Sequence, residues 1–219
     1  AKDITHDYAR GPSAIRFSPD GHMLLHLIQI VANHADYLYA YSTDDWRLLW
    51  SLHDDRIDPL TLAVRPTGHL AAIGGTHFVI PADGDRTKGK DVPVVGLLDL
   101  QQRKIVRFFT PAGVPVMSWS PDGTRLALMG GDLEILDPVS GRRLVQKQVE
   151  PSHISLRYSP DGRYLVLGGY MPSTGLFPGF GVQIWDSQMD KLLQKIPGSS
   201  AGIAIARDSR YLSRSQEGR

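Results

Sequence analysis

The chain has 219 residues, a formal net charge of +1 and no cysteine. With 24 Lys+Arg against 23 Asp+Glu, it carries no electrostatic footprint for nucleic acid or an acidic membrane. The missing cysteines exclude disulfides, thiolate catalysis and cysteine metal sites, and no apolar run reaches the roughly 20 residues of a membrane helix.

A chain of this length can bury a sizeable core as one domain, so 1–219 reads as a single unit. The chain begins at Ala1 and shows no signal pattern. The sequence leaves the compartment open, with a cytoplasmic location slightly favoured and a periplasmic or secreted one following if a leader was removed before Ala1.

Taken in order, the chain repeats itself. A turn phrase occurs as Ser18-Pro-Asp-Gly21, Arg65-Pro-Thr-Gly68, Ser120-Pro-Asp-Gly123 and Ser159-Pro-Asp-Gly162, with a degraded copy at Ala206-Arg-Asp-Ser209. The starts lie 47, 55, 39 and 47 residues apart. In this phrase proline presets φ, aspartate bonds nearby backbone, and glycine takes the positive φ that closes a hairpin. Before the best copy, Ile154, Leu156 and Tyr158 alternate with Ser155, Arg157 and Ser159, the period of a strand. After it, Tyr164-Leu-Val-Leu167 is apolar on both sides, as a strand covered on both faces should be.

A third strand follows each full copy, at Ala40-Tyr-Ser42, Leu97-Leu-Asp99, Ile135-Leu-Asp137 and Ile184-Trp-Asp186. A fourth follows in turn at Arg47–Leu52, Lys104–Phe109, Arg143–Gln146 and Leu192–Ile196. Four short strands per repeat predict an all-β chain, a β-propeller of four-stranded antiparallel blades. The blades span about 12–54, 58–110, 114–149 and 153–197, with a partial fifth at 201–219.

Phe17-Ser-Pro-Asp-Gly21, Trp119-Ser-Pro-Asp-Gly123, Tyr158-Ser-Pro-Asp-Gly162 and Ile184-Trp-Asp186 resemble WD40 repeats of the divergent bacterial kind. A TolB-like propeller, which shares this turn, is the structural alternative. Trp185-Asp186 is the one Trp-Asp dipeptide, and no copy has the Gly-His pair that precedes the first strand in that family. The resemblance implies a propeller used as a protein-interaction scaffold, not an enzyme.

The fifth repeat supplies only Gly202–Ala206 and Tyr211–Ser215, while Asp3–Tyr8 reads as a stray outer strand. Either the chain is a segment of a larger propeller, or another chain completes it through the open edge, which also allows self-association. The bland alternative is a five-bladed ring closed by the N-terminal strand.

Loops after the second and fourth strands share one face of a blade. The long insertions between second and third strands, Val31–Asp36, Thr76–Val92 and Met171–Phe180, lie on it. Met171, Leu176, Phe177 and Phe180 form an apolar group that either anchors a protein or peptide partner or folds over a neighbouring blade. His34 and Asp36 join them as candidate partner-binding residues. Residues 82–91 read as a polar, mobile surface loop.

Gly84–Lys90 has the spacing of a phosphate loop, but Asp91 stands where Ser or Thr is needed and a strand follows, not a helix. Gly198-Ser-Ser-Ala-Gly202 matches a nucleophile elbow but links two strands. Both are read as coincidence. His22 and His69 follow their turns, and His26, His34, His53 and His77 lack ligand spacing. No metal or cofactor is expected. Asp99, Asp137 and Asp186 share one slot and are assigned to backbone bonding.

The expected function is therefore a non-enzymatic scaffold presenting its long-loop face to a protein. Two alternatives stay open: a ligand-binding or enzymatic propeller with a site at the central channel, and a regulatory propeller domain cut from a larger protein.

Overall fold

The computed structural model describes residues 14–28, 37–149, 153–169, 180–197 and 202–215. The chain is all-β, and among the described residues it forms four four-stranded antiparallel sheets and one two-stranded sheet. The first sheet holds β1 (Ala14–Phe17), β2 (Met23–Leu27), β3 (Leu38–Ser42) and β4 (Leu48–Leu52). The second holds β5 (Asp58–Val64), β6 (Leu70–Val79), β7 (Lys90–Asp99) and β8 (Lys104–Phe109). The third is β9 (Val116–Trp119), β10 (Leu126–Met129), β11 (Leu133–Leu136) and β12 (Arg143–Lys147). The fourth is β13 (His153–Tyr158), β14 (Tyr164–Gly169), β15 (Phe180–Asp186) and β16 (Leu192–Pro197). Finally, β17 (Gly202–Ile205) pairs with β18 (Leu212–Ser215). Strands neighbour in space in their chain order, as the repeat predicts.

The turn phrase acts as its chemistry requires. Gly21, Gly68, Gly123 and Gly162 have φ between +71° and +77°, and Ser209 takes φ +60° in the degraded copy. Each aspartate of the three Ser-Pro-Asp-Gly copies accepts from the backbone two residues on, as Asp161 does from the Arg163 N–H at 3.1 Å. The serine does more than the sequence reading assigned to it. Ser159 Oγ accepts the Tyr164 N–H at 2.9 Å and donates to Asp161 Oδ1 at 2.6 Å. Ser18 and Ser120 repeat both bonds.

Between third and fourth strands every complete sheet has a register shift at the same place. The extra residue is Leu49, Val106, Leu144 or Leu193. Such a bulge bends the outer strand and increases its twist. Its only trace in the sequence is a doubled apolar pair at the start of each fourth strand.

The described contacts divide the chain into two compact units. In one, the first two sheets bury Leu25, Leu38, Trp50, Leu62, Ile73 and Leu98 between them. In the other, Met129, Leu133 and Ile135 of the third sheet meet Leu156, Leu165 and Leu167 of the fourth. A smaller cluster, Val166, Val182 and Ile203, joins the fourth sheet to β17. Strands β10 and β11 are buried along their whole length, with the fourth sheet packed against one face.

Candidate interaction surface

Of the three long insertions expected on the loop face, Thr76–Val92 is described, and it differs from the expectation. The strands continue through most of it, so the connection shrinks to residues 80–89. Partner strand β5 ends opposite Thr76 and β8 ends opposite Val95. Beyond both, His77↔Val92, Phe78↔Asp91 and Val79↔Lys90 pair only with one another. A two-stranded arm thus projects from the second sheet. Its β-branched and aromatic residues keep the ladder going where composition alone suggested a loop.

The polar end of the arm is held by local bonds. Asp83 Oδ1 accepts the Asp85 N–H at 3.0 Å, and Asp85 Oδ1 accepts the Thr87 N–H at 3.0 Å. Lys88 Nζ sits 3.1 Å from Asp83 and 3.2 Å from Asp85. These bonds close a single 3-10 turn, Arg86–Lys88, in place of the helix a phosphate loop needs. The Phe78 ring lies over Gly89, and a side chain at that position would push the ring aside. Even so, Phe78, Val79 and Ile80 stay 46%, 38% and 40% exposed. They form one run of large apolar residues where β6 leads into the connection.

At the arm's base, burial pushes the Asp58 carboxyl above its ordinary range, and the nearby Asp91 charge adds to this. Of the predicted partner-binding residues, Met171, Leu176, Phe177, His34 and Asp36 lie outside the described residues. Phe180 opens β15, with its backbone opposite Pro197.

A polar cleft of about 310 Å³ lies between the Ser120 and Ser159 turns. Asp122, Asp161, Arg125, Gln188 and Tyr158 line it. Arg125 Nη1 donates to Gln188 Oε1 at 2.6 Å. The hydrogen bond from Ser159 is the main reason that Asp161 falls to about 2, and Ser120 lowers Asp122 in the same way. Burial raises the Tyr158 phenol, whose hydroxyl is buried without a hydrogen-bond partner among the described residues. Two carboxylates held ionised and one phenol held neutral make no acid–base pair that could exchange a proton near neutral pH.

Asp99, Asp137 and Asp186 accept backbone N–H groups of the turns that follow them, as expected. His69 faces Asp99 at 3.3 Å and His53 faces Asp55 at 2.8 Å. Among the described residues no three His, Asp or Glu side chains converge on a point that could hold a metal. No protein-family model matches the sequence, and no curated protein matches it.

Proposed function

We propose that the chain is a non-enzymatic interaction scaffold, a WD40-like β-propeller module that receives a protein or peptide at the sheet ends carrying the long connections. One observation carries the reading: the β6–β7 arm holds Phe78, Val79 and Ile80 out in solvent. Ordinary surface economy does not call for three adjacent large apolar groups on a projecting ribbon, whereas an anchor in a partner's pocket does. The ribbon is already ordered by its ladder and its aspartate turns, so little conformational freedom is lost on docking. Four antiparallel sheets in chain order, each opened by the same turn, support the propeller reading.

The polar cleft between the Ser120 and Ser159 turns favours a second reading, a small-molecule site. The two readings part in one experiment. Proteins captured by the full chain are compared with those captured by Phe78→Ser/Ile80→Ser and by Val139→Ser, a control at an exposed turn. Loss of an anchor worth roughly 2 kcal/mol weakens capture more than tenfold for the double variant and not for the control. Unchanged capture by the double variant, together with a metabolite that co-purifies with the chain, would replace the scaffold reading with the second.

A further inference from the structure

Two opposite full charges, Asp122 and Arg125, line the polar cleft between the Ser120 and Ser159 turns, and among the described residues neither belongs to an ion pair. Arg125 Nη1 donates to the neutral amide oxygen of Gln188 at 2.6 Å. Asp122 accepts from neutral donors, the Ser120 hydroxyl and the Thr124 hydroxyl and backbone N–H. The other carboxylate, Asp161, is already engaged by Arg163 at 2.7 Å. We propose that the cleft binds a free α-amino acid, its carboxylate on Arg125 and the Tyr158 hydroxyl and its ammonium on Asp122. The inference rests on the small-molecule reading of this cleft and is independent of the β6–β7 arm.

Tyr158 is the residue that points to a ligand. It lines the cleft, it is 8% exposed, and its hydroxyl has no hydrogen-bond partner among the described residues. Leaving a buried hydroxyl unbonded is costly, so a polar group that reaches it gains affinity. Burial raises the phenol first, and the Arg125 and Asp122 charges then act on it in opposite senses, so both lie within reach of its hydroxyl.

The repeat supplies an internal control. Arg125 and Met23 occupy one place, each with its N–H on the oxygen of its turn serine. Tyr158 and Val64 each precede a turn phrase. Ser187 and Leu100 each donate to the carbonyl of the residue that follows a turn, Arg163 or His69. Met23, Val64 and Leu100 all pack into the core of the first two sheets. The third and fourth sheets carry a cation, a phenol and a hydroxyl at the same three places. The polar cleft is therefore no general consequence of the repeat, which can close this place with apolar side chains and here does not.

Charge selects the ligand. A simple amine would satisfy Asp122 and leave Arg125 and the phenol unmet, and a simple acid would do the reverse. A phosphate dianion would face Asp161 as well as Asp122, and like charges oppose it. An ammonium and a carboxylate on one carbon answer all three groups, the carboxylate taking the paired N–H donors of a guanidinium. A peptide terminus carries only one of those charges. The cleft volume, about 310 Å³, is at the small end of ligand pockets and suits a molecule of this size.

The probe is L-serine, whose small polar side chain suits Thr124 and Gln188, titrated into the full chain by isothermal calorimetry. Ethanolamine, which lacks the carboxylate, and N-acetyl-L-serine, which lacks the ammonium, are the controls. Saturable binding of L-serine is expected, with each control about tenfold weaker. Arg125→Gln should abolish it. Tyr158→Phe removes one unpartnered hydroxyl, so the unliganded thermal midpoint should not fall, yet affinity for L-serine should drop about fivefold. Flat titrations with all three compounds would overturn both the proposal and the small-molecule reading. A control that binds as well as L-serine, and is lost in Arg125→Gln, would overturn the amino acid and leave the small-molecule reading standing. Binding of L-serine indifferent to Tyr158→Phe would put the site elsewhere and overturn the proposal.

Discussion

Replacing Ser159 by alanine removes one oxygen with two partners. Ser159 is 1% exposed; its Oγ accepts the Tyr164 N–H at 2.9 Å and donates to Asp161 Oδ1 at 2.6 Å. Leaving a buried donor unsatisfied costs about 1–3 kcal/mol. Two features place this site in the lower half of that range. Tyr164 is only half-buried, so water can reach part of the vacated space. The last repeat closes the same turn with Ala206 and no serine hydroxyl, through the Ala206 N–H to Tyr211 O, the Ser209 N–H to Ala206 O and the Arg210 N–H to Asp208 Oδ1. The expected loss is therefore about 1–2 kcal/mol with the fold retained, read as a lower urea midpoint at unchanged slope by tryptophan fluorescence. The second readout is independent of stability. Asp161, held at about 2 chiefly by this hydroxyl, should rise part of the way toward 3.8 in a carboxyl NMR titration, since Arg163 still bonds it. If neither the midpoint nor the titration moved, proline and glycine backbone preference would hold the turn and the serine would be incidental.

Glu134, 1% exposed, accepts the Ala112 N–H at 2.8 Å and the Arg143 Nε–H at 2.8 Å. Because Arg143 reaches water, Glu134→Ala should cost about 1–3 kcal/mol, less than breaking a fully buried pair. It should also speed exchange of the Ala112 amide, and unaltered exchange would contradict the assignment. Acid should weaken the fold in a defined window. The folded carboxyls of Asp20, Asp122 and Asp161 lie below the ordinary 3.8, each chiefly through its serine. Their stabilisation is whole above that value and is lost as pH falls toward about 2, the folded value of Asp161. Asp58, raised by burial, works the other way, and Asp58→Asn should steepen the acid loss. A urea midpoint that stayed flat between about pH 5 and pH 2 would refute this.

The strands, their order and the corner between first and second were legible because their causes are local. Period-2 apolar alternation, a proline at one corner position and a glycine or serine at positive φ act within six residues of one another. Asp99, Asp137 and Asp186 could be assigned for the same reason, since each bonds the turn that follows it. The candidate site was less legible. The expected insertion at 76–92 became a paired arm because Thr76 to Val79 found β-strand partners across the connection, and a polar count over a window does not register pairing.

The amino-acid sequence by itself determined an all-β chain of repeated hairpins and the residues at its corners, because those choices are decided by backbone sterics and by hydrogen bonds a few residues long. Only tertiary structure decided which equivalent residues end up covered. Ile135 and Ile184 occupy the same place in their strands, but one lies beneath a complete neighbouring sheet and the other beside a two-stranded hairpin. Burial depends on what stands opposite, and a residue's own repeat cannot specify that.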